Sequence, residues 1–308
     1  MKKLSLLLTA LFLFLVTGCS MEPPSWAKPD TGGDLKNMKI GLSVSTLNNP
    51  FFVSMKEGVV AEAKKHGIET IVVDAQNDSA KQSNDVDDLM QKGVNVLLIN
   101  PTDSAAISTV VQSANELGIP VITLDRSADS GNVEALVASD NAKGGRMAAE
   151  YIEKLLGKGA KVVELEGVAG ASATRERGKG FHELADTDLK VVAKQTADFD
   201  RTKGLNVMEN LLQANPDVQA VFAHNDEMAL GAIEAIRSSG KDIPVIGFDG
   251  NEDALKSIAE GKLTATVAQQ PELIGQLAVQ AAYDVLQGKK VEKSIPAPLK
   301  LVTKNENE

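Results

Sequence analysis

The chain has 308 residues, 43% of them hydrophobic and 24% charged. That is enough for two domains at roughly 100–200 residues each, and it excludes a disordered tail protein, a collagen and a polytopic membrane protein. Lys plus Arg number 32 against 42 Asp plus Glu, a formal net charge of -10 with no basic block, so the chain is a poor nucleic-acid binder.

The chain opens with Lys2 and Lys3, then runs apolar from Leu4 to Val16, broken by Ser5 and Thr9. The run is too short to span a bilayer, which takes ~20 residues, and reads as a secretory signal over residues 1–18. It ends Val16-Thr17-Gly18-Cys19, which resembles the bacterial lipobox, and Cys19 is the only cysteine. The expectation is a lipid on Cys19 that anchors the protein outside the cytoplasm. Loss of two lysines leaves the mature chain at about -12. Residues 19–37 carry Pro23, Pro24, Pro29, Gly32 and Gly33 without periodicity and read as a tether, which also holds the sole tryptophan, Trp26.

From Lys39 short apolar runs alternate with amphipathic stretches. Lys39–Val44, Glu69–Asp74, Val94–Ile99 and Pro120–Leu124 read as strands covered on both faces. Phe52, Met55, Val59 and Ala63 follow helical spacing, with Asn49 as N-cap and Pro50 as first helical residue. Ile107, Val110, Val111, Ala114 and Leu117 form a second helical stripe, ended by Gly118. Strand–helix alternation predicts parallel sheets with right-handed crossovers.

The second half echoes the first. Ile119–Asp125 (IPVITLD) matches Ile243–Asp249 (IPVIGFD) at an offset of 124, and Val94–Ala106 aligns with Val218–Leu230 at the same offset. Lys39 and Gly58 align with Lys161 and Gly180 at an offset of 122. The shared spacing predicts two similar lobes, with duplication as their origin.

Ligands of open parallel sheets bind at the carboxyl ends of the strands. Polar residues gather there: Asn100, Asp125 and Arg126, then His224, Asn225 and Asp226, then Asp249, then Gln269 and Gln270. Asn100 and Asp226 also read as helix N-caps. The adjacent Phe51 and Phe52 cannot both face one helix stripe, and Arg175 and Arg177 are also open to reading as solvated helix charges. Planar carboxylate, carboxamide and guanidinium groups suit paired sugar hydroxyls, and aromatic faces suit the C–H patches between them.

In order along the chain stand STLNNPFF (Ser45–Phe52), LINPTDS (Leu98–Ser104), PVITLDR (Pro120–Arg126), ASDN (Ala138–Asn141) and RERG (Arg175–Gly178). ADFDR with KGLNVM (Ala197–Met208), NDEMALGA (Asn225–Ala232) and GFDG (Gly247–Gly250) follow. This set resembles the periplasmic binding proteins of the pentose/hexose class, D-ribose binders of bacterial ABC importers most closely.

The resemblance implies an α/β fold of two doubly wound parallel-sheet lobes joined by a three-segment hinge, the type I arrangement. The first lobe would hold residues 38–139 plus 270–298, the second 140–269 plus 299–308. It implies Asn49 as a hydroxyl ligand, Phe51 and Phe52 as one aromatic wall and Phe199 as the opposing one. Asp125 and Arg126 would grip hydroxyls from the first lobe, and Arg175, Asn225, Asp249 and Gln269 from the second; Phe248 is a weaker lining candidate. It implies a monosaccharide ligand, D-ribose first, a membrane permease as partner, a monomer, and no cofactor or metal. Another pentose or hexose, a furanosyl signalling molecule, or a chemoreception role would use the same fold.

Other classes fit less well. A G-x-S-x-G elbow, a P-loop and a cysteine nucleophile in the mature body are lacking, although Asp125 and Asp249 could be imagined as a glycosidase pair. A sugar-responsive regulator would need a helix-turn-helix where this chain has its signal and tether. Asp198, Asp200, Thr202 and Glu209 have calcium-loop spacing, but Lys203 replaces the turn glycine, so Asp200 reads as an N-cap.

Overall fold

The structure is a computed structural model that describes residues 37–304. The signal, the Cys19 lipobox and Trp26 lie outside the described residues. Among the described residues, nine helices and twelve strands form two six-stranded sheets.

The first sheet is built by β1 (Lys39–Val44), β2 (Glu69–Asp74), β3 (Val96–Ile99), β4 (Val121–Leu124), β5 (Ala135–Ser139) and a late strand, β11 (Ser294–Ala297). Its helices are α1 (Pro50–Lys65), α2 (Ser79–Gln91), α3 (Ile107–Glu116) and α9 (Pro271–Leu286). The second sheet is built by β6 (Lys161–Glu166), β7 (Lys190–Thr196), β8 (Ala220–Ala223), β9 (Val245–Asp249), β10 (Ala265–Ala268) and β12 (Lys300–Thr303). Its helices are α4 (Asn141–Leu156), α5 (Ser172–Asp188), α6 (Arg201–Ala214), α7 (Asp226–Ser238) and α8 (Glu252–Ala259).

The spatial orders are β11-β5-β4-β3-β1-β2 and β12-β10-β9-β8-β6-β7, one topology built twice. Every strand pair is parallel except β10 with β12. The repeat offsets set strand on strand: β3 and β8, and β4 and β9, start 124 residues apart, and β1 and β6 start 122 apart. The chain passes between the lobes three times, at residues 139–141, 268–271 and 297–300, so α4 packs on α5 and α9 on α1.

The continuous apolar runs have the expected cause. In β3, Val96 and Leu98 join the core under α1 and α9, while Leu97 and Ile99 join the core on the opposite face. That strand begins at Val96 rather than Val94, and β4 begins after Pro120, which has no N–H to give the ladder. Asn49 caps α1 by accepting from the Phe51 N–H at 2.9 Å, and Gly118, at φ 73°, follows α3. No described helix is long and apolar enough to cross a membrane.

The lobes also touch away from the crossings. Ser104 of the first lobe donates its N–H to the Gly170 carbonyl at 3.0 Å, and its Oγ accepts from the Ser172 N–H at 3.2 Å. Ser172 Oγ accepts from the Ser127 N–H at 2.9 Å. The cleft is therefore held shut.

Candidate functional site

The carboxyl ends of the strands of both sheets open into a cavity between the lobes. Its walls are Asn49, Phe51, Phe52, Asp125 and Arg126 from the first lobe, and Ala173, Arg177, Phe199, Asn225 and Asp249 from the second. Eight of the ten expected site residues are thus brought together. Of the other two, Gln269 stands directly behind the cavity and Arg175 lies elsewhere.

Phe51 and Phe52 both reach the cavity because they sit in the first turn of α1, before a helix stripe is defined. Both are buried, edge to face at 5.3 Å between ring centroids. Phe199 stands opposite, in the loop between β7 and α6, with φ at 60°. Its ring presses on the bare Cα of Gly167, where a Cβ would come within 2.0 Å of the ring. Asn225 locks this wall: its Oδ1 caps α7 at the Met228 N–H, and its Nδ2 donates to the Phe199 carbonyl at 3.3 Å.

Each lobe contributes one buried Asp–Arg pair. Asp125 and Arg126 approach to 3.6 Å, and Asp249 and Arg177 to 3.7 Å, all four at most 4% exposed. The Arg126 guanidinium lies 5.0 Å from the Phe52 ring centre and 5.2 Å from Phe199, so it sits between the aromatic walls. Arg177 lies 3.9 Å from the centre of the Phe248 ring, which supports it from beneath instead of lining the cavity.

Burial dominates the electrostatics. It raises the Asp125 carboxyl against the pull of Arg126 and Arg177, raises Asp249 well above its usual range, and lowers Arg126 to about 10. Asp125 Oδ1, Arg126 Nε and Gln269 Oε1 are buried without a hydrogen-bond partner. Gln269 Nε2 donates to Asp249 Oδ1 at 2.9 Å, so this glutamine orients the carboxylate. Unpaired buried polar groups cost roughly 1–3 kcal/mol each, a deficit that a polyhydroxylated guest would relieve. Asp125 and Asp249 also hold positive φ, 61° and 120°, a strained backbone of the kind that collects at binding sites.

The second-lobe arginine expected at position 175 is displaced by two. Arg175 is 46% exposed; it donates to Asp129 at 2.7 Å and to the Gly170 carbonyl at 3.0 Å. It bridges the rims of the two lobes, while Arg177 occupies the cavity. The helix phase explains this: Ala173, Arg177, Gly180 and Phe181 share the buried stripe of α5, and Arg175 points away from it.

Two residues taken as caps do other work. Asn100 accepts from the Ser45 N–H and donates to the Leu124 carbonyl, tying adjacent strand ends together. Asn225, not Asp226, caps α7; buried Asp226 accepts from the Gly250 and Asn251 N–H groups and from Thr266 Oγ1, shaping the loop behind Asp249. Asp200 does cap α6, accepting from the Lys203 N–H.

Comparison with known proteins agrees with this architecture. Residues 40–290 match the family model described as periplasmic binding protein domain. The chain is 70% identical over 303 residues to the ribose import binding protein RbsB of Bacillus subtilis, covering 98% of this chain and 99% of the relative. It is 56% identical over 267 residues to the ribose import binding protein RbsB of Escherichia coli, covering 86% and 90%. The Caulobacter myo-inositol binding protein, solved with myo-inositol, aligns with a TM-score of 0.84 at 35% identity, covering 87% of this chain and 94% of that one. The chain belongs to the periplasmic binding protein family.

Proposed function

We propose that this chain is an extracytoplasmic lipoprotein that captures D-ribose between its lobes and delivers it, chemically unchanged, to the permease of an ABC importer. The observation that carries the reading is the pair of buried Asp–Arg couples, one from each lobe, set between Phe51 with Phe52 and Phe199. Charged planar groups bond adjacent hydroxyls and rings cover the C–H faces, so the pocket matches one small sugar ring.

The similarity to ribose import binding proteins supports D-ribose as the ligand and the importer as the partner. A pentose has about ten heavy atoms, so micromolar binding needs ~0.8 kcal/mol per atom, within the ceiling for small ligands. Nearly every hydroxyl must then be bonded, which only a site drawing on both lobes supplies. The three crossings act as the hinge, the sugar favours closure by its higher affinity for the shut state, and the protein works as a monomer. The lipid on Cys19 holds it at the membrane.

Calorimetric titration with D-ribose tests the reading. A dissociation constant at or below about 10 μM, with the sugar recovered unaltered, is expected; absence of binding, or turnover of a pentoside, would overturn it. The myo-inositol complex of a structural relative makes cyclic polyols and other monosaccharides the second reading.

A further inference from the structure

Beneath the second-lobe half of the cavity lies a charged cluster that takes no part in lining it. Glu164, in the middle of β6, is fully buried. Its Oε1 accepts from His224 Nε2 at 2.8 Å and its Oε2 from His182 Nε2 at 2.9 Å, since a carboxylate can only accept. His224 is itself fully buried, directly after β8; His182 is on α5 and bonds Asp186 through Nδ1 at 2.6 Å. Lys194 of β7 faces the same side and pairs with Glu166. Gly178 of α5 packs over the cluster: a Cβ there would lie in ordinary contact, 3.5 Å from the His224 ring and 3.6 Å from Glu164 Oε1.

Burying a carboxylate within a sheet is costly without bonded partners. A core function alone would be served by an apolar residue. What the cluster touches gives it a use. The backbone carbonyl of His224 accepts from Arg177 Nη1 at 2.6 Å, the shortest bond this arginine makes. Asn141 Oδ1 accepts from Arg177 Nε at 2.9 Å, and Phe248 supports the guanidinium face. Asn225, the next residue, lines the cavity and holds the Phe199 wall. The imidazole of His224 is thus pinned by Glu164 while its carbonyl aims Arg177.

We propose that Glu164 and His224 are positioning residues: the Glu164–His224 bond fixes the 224–225 backbone so that Arg177 and Asn225 are preset in the sugar site. This rests on the sugar-binding reading of the cavity. Hydrogen bonding by the side chain at 224 matters, not its aromaticity, because Gln can donate to Glu164 and Leu cannot.

The test is a mutant cycle on the full chain, read by D-ribose calorimetry. His224→Gln should bind within about threefold of the parent, and His224→Leu at least about tenfold more weakly, the scale of one charge-assisted hydrogen bond. In an Arg177→Ala background the His224→Leu loss should shrink to about threefold or less, because the arginine through which most of it acts is gone and only the Asn225 share remains. An equal loss in both backgrounds, or none in either, would overturn the proposal. If His224→Leu does not fold, Glu164→Gln enters the same cycle with the same expectation. A parent that ignores D-ribose would defeat the functional reading alone. The positioning claim is then decided on the ligand-free chain, by proton exchange at Arg177 Nε–H. That exchange should be slow in the parent and in His224→Gln and faster in whichever of His224→Leu and Glu164→Gln folds; equal rates would refute it.

Discussion

Arg175 Nη2 of the second lobe stands 2.7 Å from Asp129 Oδ1 of the first. The pair joins the rims of the cleft, and Arg175 also bonds the Gly170 carbonyl, beside the Ser104–Gly170 contact. The Arg175–Asp129 and Ser104–Gly170 contacts exist only while the lobes are together, so they weight the closed state without touching the cavity. Both partners are close to half exposed, which limits the pair to ~0.2–1 kcal/mol. Arg175→Ala should therefore weaken D-ribose binding by about two- to fivefold, mainly through faster release. Stopped-flow dissociation with and without 1 M salt checks this: the difference from the parent should fade in salt.

Arg126 is the opposite case, buried between two rings and beside Asp125. Arg126→Ala removes a charge-assisted donor and leaves Asp125 uncompensated, so affinity should fall by at least ~1.5 kcal/mol, more than tenfold. Unchanged calorimetric affinity would take Arg126 out of the site.

Gly167 has no side chain where Phe199 needs the space. Gly167→Ala should push the ring into the cavity or out of its wall, at a cost of ~1–3 kcal/mol in sugar affinity. Calorimetry beside a denaturation curve checks this, and the affinity loss should exceed the loss of ligand-free stability.

The Glu164–His182 contact predicts a pH dependence of folding. Burial would raise the Glu164 carboxyl, but its bonds to His182 and His224 hold it at about 2; the bond to Glu164 lifts His182 to about 9. A lowered acid contributes stability that is present above its ordinary 4.5 and lost as pH falls through about 2. A raised histidine contributes stability that is full below its ordinary 6.5 and lost as pH rises through about 9. Both are complete between pH 4.5 and 6.5. Denaturant titrations should show the parent losing on the order of 2 kcal/mol more than His182→Gln between pH 6.5 and 9.5. Parallel curves would contradict the pairing.

Cys19→Ala should free the protein from the membrane or trap its precursor. Fractionation of cells carrying that variant measures it, and undisturbed membrane attachment would remove the lipid anchor from the account.

Much of this architecture was legible in residue order because the signals were local. Apolar runs and helical stripes marked the elements, and the shared offsets marked two lobes. The misreadings came where the outcome depended on helix phase or on a distant partner. Arg175 and Arg177 are two residues apart on one helix, so only one can face the cleft. The stripe of Ala173, Gly180 and Phe181 already pointed to Arg177, as a charge on a buried face. Asn100 and Asp226 bond residues up to 55 and 40 positions away, which no local capping rule can show. No local signal marks Glu164, because the two imidazoles that make it tolerable arrive from α5 and from the end of β8.

A thermal-shift panel of monosaccharides and myo-inositol, followed by calorimetry on each hit, tests the central claim most directly. Ligands that bind only the folded state raise its melting temperature by mass action. The account predicts the largest upward shift with D-ribose, clearly reduced in Arg126→Ala and in Arg177→Ala but nearly unchanged in Arg175→Ala. A silent panel, or a D-ribose shift undiminished in both Arg126→Ala and Arg177→Ala, would contradict it.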